Sequence, residues 1–307
     1  MNQSGINAII TLFILMGVGL ALKKTGTMTK AAEGFITKLL QQVSIPALMF
    51  YNATTQFNER FLREYYPGII VSFLTLMASI IAGLAVAKLF KIKEKDTGVF
   101  TTMFAFSNTI FIGVPVISGI FGEQGIPYLM LFYLMNTVLF WTMGIFLIGG
   151  EKGSNLFSRA TLKKLFNPAM NAFLLGLVLM YTKTTVPDPI LRSLDYLSGL
   201  VTPLSTLYMG SIIAEFSFKR LPGLKPTLLV LFGRFVFSPF LALTILKLFG
   251  FSGLMVQVIV IASALPVMSQ VSILAGYYGK DKQYTAFMTA LTTLLSIFIL
   301  PFYFNFM

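Results

Sequence analysis

Two polar interruptions in long apolar runs are where this sequence could do chemistry. The first is Ser107-Asn108-Thr109, followed by Gly113 and Pro115. The second is Pro266, followed by Ser269, Gln270 and Ser272. An amide offers two N–H donors and an acceptor oxygen, so Asn108 can bond a carboxylate or cap a half-helix. It can equally bond a neighbouring helix, as polar residues in membrane bundles do. Proline removes a backbone donor and clashes with the preceding turn. Pro115 and Pro266, with Gly113, are therefore expected to open their helices. If the second run breaks at Pro266, a half-helix begins near Ser269 and Gln270, and its N-terminal N–H groups favour an anion. The alternative is a kink in a continuous helix.

Arg234 lies inside a third apolar run, Gly233-Arg234-Phe235-Val236-Phe237-Ser238-Pro239. A central membrane charge costs roughly 2.5–3.5 kcal/mol on insertion scales, so it needs a reason to be there. It either attracts an anionic substrate or satisfies carbonyls freed by the helix breaks. All eleven Asp and Glu fall in loops or at span ends. Proton and cation pathways place carboxylates at membrane depth. Amides, hydroxyls and one arginine favour an anion instead. A coupling ion, H+ or Na+, is left open, since carbonyls and hydroxyls alone can build a sodium site.

With no Cys and no His, thiolate nucleophiles, disulfides, imidazole relays and Cys/His metal sites are excluded. No cofactor or metal is expected. Lacking a P-loop motif, the chain itself does not read as an ATPase. No paired carboxylate lies at depth, so an enzyme is not expected.

The elements that position these residues follow from composition. The 307 residues are 56% hydrophobic, and only 11% are charged, against about 25% in soluble domains. Apolar runs of bilayer length recur throughout, so the chain is an all-α integral membrane protein. The runs predict ten spans, near 6–22, 36–54, 66–89, 97–121, 125–149, 165–181, 190–214, 226–248, 253–278 and 284–305. The first reads as a retained span, not a signal peptide.

Most of the 23 Lys and Arg fall in alternate loops, and the opposite loops hold only Arg60, Arg63, Lys183, Arg192 and Lys247. The positive-inside rule then puts both termini outside. This also accounts for the net charge of +12, and no nucleic-acid partner is expected. The hydrophilic stretch 151–164 reads as a cytoplasmic linker between halves 1–150 and 165–307. Five spans in each half would give two inverted five-helix repeats.

At these residues the chain resembles the auxin efflux carrier family, which includes plant PIN-formed carriers and bacterial malate or malonate permeases. Asn108-Thr109 through Gly113 and Pro115 matches the family's N-T-x-x-x-G-x-P, and Ala264-Leu265-Pro266 matches its A-L-P. Arg234-Phe235 through Pro239 is similar to its R-F-x-x-x-P; Ser44-Ile45-Pro46 and Pro203-Leu204 through Gly210 resemble its second and seventh spans. The resemblance implies a bile acid sodium symporter-like fold. Spans 1, 2, 6 and 7 would form a scaffold, spans 3–5 and 8–10 a transport domain, and broken helices 4 and 9 would cross. It makes Asn108 the first choice for substrate contact and implies a homodimer. Plant members carry a further proline where this chain has Val271.

The expectation is a secondary transporter of small organic anions in the plasma membrane (the inner membrane of a bacterium), working by an elevator-like alternating access. Ser107, Asn108, Thr109, Ser269, Gln270 and Arg234 are its candidate substrate residues. The alternatives are a sodium-coupled symporter and a membrane ligand sensor that does not transport.

Overall fold

A computed structural model describes residues 3–150, 166–214 and 223–306. The expected linker at 151–164 lies outside the described residues. The chain is helical: α1 Gln3–Lys24, α2 Lys30–Leu39, α3 Ile45–Thr55, α4 Glu59–Tyr65, α5 Pro67–Leu89, α6 Glu94–Ala105, α7 Thr109–Phe121, α8 Glu123–Gly149, α9 Pro168–Tyr181, α10 Asp188–Ala214, α11 Leu224–Leu248, α12 Leu254–Ser263, α13 Gln270–Tyr277 and α14 Lys282–Phe306.

The expectation of ten spans in two inverted five-helix repeats does not hold. Among the described residues four helices are long and apolar enough to cross a membrane: α5, α8, α10 and α11. They have 23, 27, 27 and 25 residues, roughly 35–40 Å each at 1.5 Å per residue, enough for the bilayer core. Two inverted five-span repeats would need ten. Three of the six remaining runs yield only shorter helices. The run 97–121 is divided between α6 and α7, the run 253–278 between α12 and α13, and the run 165–181 yields the 14 residues of α9. The bile acid symporter-like arrangement implied by the resemblance falls with the repeats.

Proline explains several bends. The π turns Leu40–Ser44, Thr109–Gly113 and Gly233–Phe237 each end two residues before a proline, at Pro46, Pro115 and Pro239. Proline lacks the N–H that would bond four residues back. A π turn shifts the bonding register by one and lets the helix continue with a local bend. Helix α8 carries a further π turn, Phe140–Gly144, with no proline after it.

The described chain divides into two compact units, interleaved in sequence. The first takes Met1–Pro67, Ile110–Leu131 and Leu165–Glu215. Its central packing is α1 against α10. A Cβ on Gly19 would sit 2.1 Å from the Leu207 carbonyl oxygen, and one on Gly210 would sit 2.0 Å from that of Met16. The two glycines thus let the backbones touch, and van der Waals packing of this kind replaces the hydrophobic drive absent between helices in lipid. Helix α9 meets α3 in the same way, with Gly176 against Ala53 and Phe50. Phe57, Phe61, Tyr65, Tyr128 and Phe173 form an aromatic cluster with edge-on and tilted contacts.

The second unit takes Gly68–Thr109, Phe132–Lys164 and Phe216–Met307. Here Gly98 packs on the Leu147 carbonyl and Gly233 on the Phe104 ring. Ser79 and Ser238 share a buried hydrogen bond of 3.1 Å. This unit holds both helix breaks.

Candidate functional site

Helix α6 ends at Ala105, and Phe106 turns extended (φ −95°, ψ 136°). Helix α12 ends at Ser263, and α13 starts at Gln270. The two gaps pair as a short antiparallel bridge between Ser107 and Val267. Asn108 N–H donates to the Pro266 carbonyl at 2.9 Å, and Met268 N–H donates to the Phe106 carbonyl at 3.3 Å. Each break thus supplies partners for backbone groups that the other exposes. Non-helical backbone at membrane depth survives only with such satisfaction.

Side chains from two other helices complete the pairing. Asn136 on α8 accepts the Ser107 N–H at 3.1 Å and donates to the Ser107 carbonyl at 3.0 Å. Thr292 on α14 accepts the Val267 N–H at 3.1 Å. Both partners of the bridge are therefore fixed by a polar side chain. Asn136 and Thr292 are not among the candidate residues singled out from the sequence. Their signal was present, a lone amide and a hydroxyl in apolar runs, but nothing in the sequence paired them with the breaks.

Arg234 is fully buried. Its Nε donates to the Leu265 carbonyl at 3.0 Å, and Nη1 to the carbonyls of Ala105 at 2.8 Å and Phe104 at 3.4 Å. Nη2 donates to the Ser107 hydroxyl at 2.5 Å and to the carbonyls of Leu265 at 2.6 Å and Ser263 at 2.7 Å. The planar five-donor fork suits this task. One side chain thereby satisfies the C-terminal carbonyls of α6 and α12 together, where a positive charge also opposes the negative ends of two helix dipoles. Of the two roles read from sequence, the bonds match carbonyl satisfaction. Among the described residues Arg234 makes no ion pair, so its charge meets dipoles and no carboxylate.

Beside this clasp, Asn108 Nδ2 donates to Ser269 Oγ at 2.9 Å. A hydroxyl that accepts still carries a proton to donate. Ser107, Asn108 and Thr109 are buried, while Ser269 and Gln270 are half-buried. Ser269 stands at the N-cap of α13. The second unit thus gathers Ser107, Asn108, Thr109, Arg234, Pro266, Ser269 and Gln270. Gly113 and Pro115 fall in the first unit. Gly113 is an ordinary right-handed helical residue, and Pro115 sits in the first turn of the α-helical part of α7. The extended residues come earlier, around Phe106 to Asn108.

Among the described residues no group of three or more His, Cys, Asp or Glu could hold a metal ion. The arrangement is a set of neutral hydrogen-bonding groups next to an arginine that makes no ion pair among the described residues.

Comparison with known proteins agrees with a membrane carrier. An uncharacterized transporter of Methanothermobacter thermautotrophicus is 26% identical over 299 residues, covering 95% of each chain. An uncharacterized transporter of Methanocaldococcus jannaschii is 26% identical over 301 residues, covering 96% of each. The profile of the family described as membrane transport protein matches residues 4–304, nearly the whole chain. With its apolar helices and paired helix breaks, this chain belongs to the membrane transport protein family.

Proposed function

We propose that the protein is a secondary transporter of small organic anions, carboxylates above all, that works by alternating access. The observation that carries this reading is the buried Arg234 charge, bonded to carbonyls and a hydroxyl with no carboxylate among its partners. A positive charge held by dipoles alone raises the potential around Ser107, Asn108 and Ser269. A cation is repelled there, and a carboxylate is attracted. The N-terminus of α13 adds in the same sense.

Roles follow from the bonding. The guanidinium donors of Arg234 are engaged, so Arg234 contributes its field and holds the breaks in place. Asn108 and Ser269 make the direct contacts, their mutual hydrogen bond opening to take the substrate oxygens. Thr109 and Gln270 flank them. The resemblance to auxin efflux carriers and to permeases of small carboxylates supports the same substrate class. In this reading the second unit carries the substrate.

The test is purified protein in sealed vesicles with labelled small carboxylates inside and out. Accumulation or exchange that requires the protein supports transport. Saturable binding with neither accumulation nor exchange would make the protein a sensor and contradict the proposal.

A further inference from the structure

At one end of the second unit three connections converge on a cavity of about 510 Å³, lined by Lys91, Lys93, Asp96, Lys225, Asp281 and Tyr284 among others. It lies apart in sequence from the paired breaks and uses none of their residues. The lysines come from the α5–α6 connection and the first turn of α11.

Lys91 is held there at a conformational cost. It has φ 55°, a left-handed position usually given to glycine at a helix C-terminus. The next N–H, that of Ile92, returns to the Ala87 carbonyl at 2.9 Å, closing the end of α5. A lysine in this position keeps an ammonium at the cavity mouth where glycine would be cheaper. Lys225 Nζ lies 5.3 Å from the centroid of the Phe90 ring. Among the described residues none of the three lysines is in an ion pair.

The two carboxylates are already used. Asp281 accepts the Tyr284 N–H at 2.9 Å and caps α14. Asp96 stands in the first turn of α6, where a helix N-terminus stabilises it. The Tyr284 hydroxyl is buried, with the Thr227 side chain as a polar neighbour. The cavity therefore offers three ammonium groups and one phenol to a ligand.

Apolar surface adjoins these donors. Leu89 is 75% exposed and Leu224 67%, and both end membrane-length helices. Leu228, one turn along α11, is also exposed. A soluble anion would use the ammonium groups alone, whereas a phospholipid uses both surfaces.

We propose that this cavity binds the phosphodiester head group of an anionic membrane phospholipid. Lys91, Lys93, Lys225 and the Tyr284 hydroxyl meet the phosphate oxygens. The acyl chains lie along Leu89, Leu224 and Leu228.

The experiment is native mass spectrometry of the full chain, titrated in detergent with dioleoylphosphatidylglycerol or dioleoylphosphatidylcholine. Phosphatidylglycerol should be retained preferentially. Replacing Lys91, Lys93 and Lys225 together with Gln should weaken it roughly a hundredfold, about fivefold per lysine, the equivalent of about 1 kcal/mol for each basic residue at an anionic surface. If the triple variant fails to fold, Lys93→Gln and Lys225→Gln alone give the same reading. The pair Lys88→Gln and Lys95→Gln, exposed lysines outside the cavity lining, should cost less than twofold. An equal loss in that pair would mean general surface charge and overturn the proposal. Unchanged binding by the triple variant would overturn it as well. Displacement of the lipid by equimolar sn-glycerol 3-phosphate would assign the cavity to a soluble phosphate and also refute it.

Discussion

Arg234 and Ser107 join the two helix breaks through one contact: guanidinium Nη2 donates to the Ser107 hydroxyl at 2.5 Å. The same nitrogen reaches the carbonyls of Ser263 and Leu265 in the other break. The bridge, the clasp, Asn108 and Ser269 are therefore one hydrogen-bonded network, and changes to one member should reach the others.

Arg234→Met should remove the donors of four carbonyls and destabilise the protein by more than 3 kcal/mol, since each buried polar group left unpaired costs about 1–3 kcal/mol. Arg234→Lys keeps the charge with three donors on one nitrogen and should fall between. Thermal unfolding in detergent measures both. If Arg234→Lys kept full stability and lost only substrate affinity, Arg234 would be a substrate ligand and the clasp account would be wrong.

Asn136→Leu leaves the Ser107 N–H unpaired, while the Ser107 carbonyl keeps the Thr109 N–H at 3.0 Å, and should cost about 1–3 kcal/mol. Thr292→Val removes one acceptor, that of Val267 N–H, and should cost a similar amount. Both should also lower substrate affinity, because each misplaces the bridge. A shift in affinity with no loss of melting temperature in either variant would contradict a positioning role.

Gly19→Ala and Gly210→Ala should each sharply reduce the yield of folded protein, since an added Cβ would lie about 2 Å from a backbone oxygen. Gly17→Ala serves as the control: nothing lies within 4 Å of its added Cβ. Size-exclusion profiles of the three variants decide. Normal profiles for the Gly19 and Gly210 variants would show that α1 and α10 pack less closely than described.

The chain lacks histidine, and among the described residues no carboxylate pairs with Arg234. Affinity for a carboxylate with a pKa below 5 should therefore stay flat from about pH 6 to 8. Ligand-induced rise in melting temperature across that range measures it. A tenfold change within the range would reveal a titrating group at the site.

The polar residues of the paired breaks were legible in the sequence because polar residues and proline stand out in apolar runs. Asn108, Ser269 and Pro266 are found together, and Arg234 sits where its second sequence reading put it, among freed carbonyls. The number of membrane-length helices was not legible. Hydropathy registers a run such as 97–121 as one apolar stretch, while the hydrogen bonds divide it into α6 and α7. Pro115 misled for a related reason: a π turn takes up its missing donor, and the true gap lies at Ser107, which has no proline beside it. Asn136 and Thr292 gained their roles only from tertiary pairing, which a pattern along one chain cannot carry.

Uptake by vesicles bearing Asn108→Ala and Asn108→Asp tests the central claim most directly. The account predicts that both variants fold, since the Asn108 N–H bond to Pro266 is made by the backbone. It predicts a carboxylate transport loss of about tenfold or more for Asn108→Ala, about the worth of one charged hydrogen bond, and a larger loss for Asn108→Asp, whose charge repels the substrate. Wild-type rates in a well-folded Asn108→Ala protein, or faster transport by Asn108→Asp, would contradict an anion site at this residue.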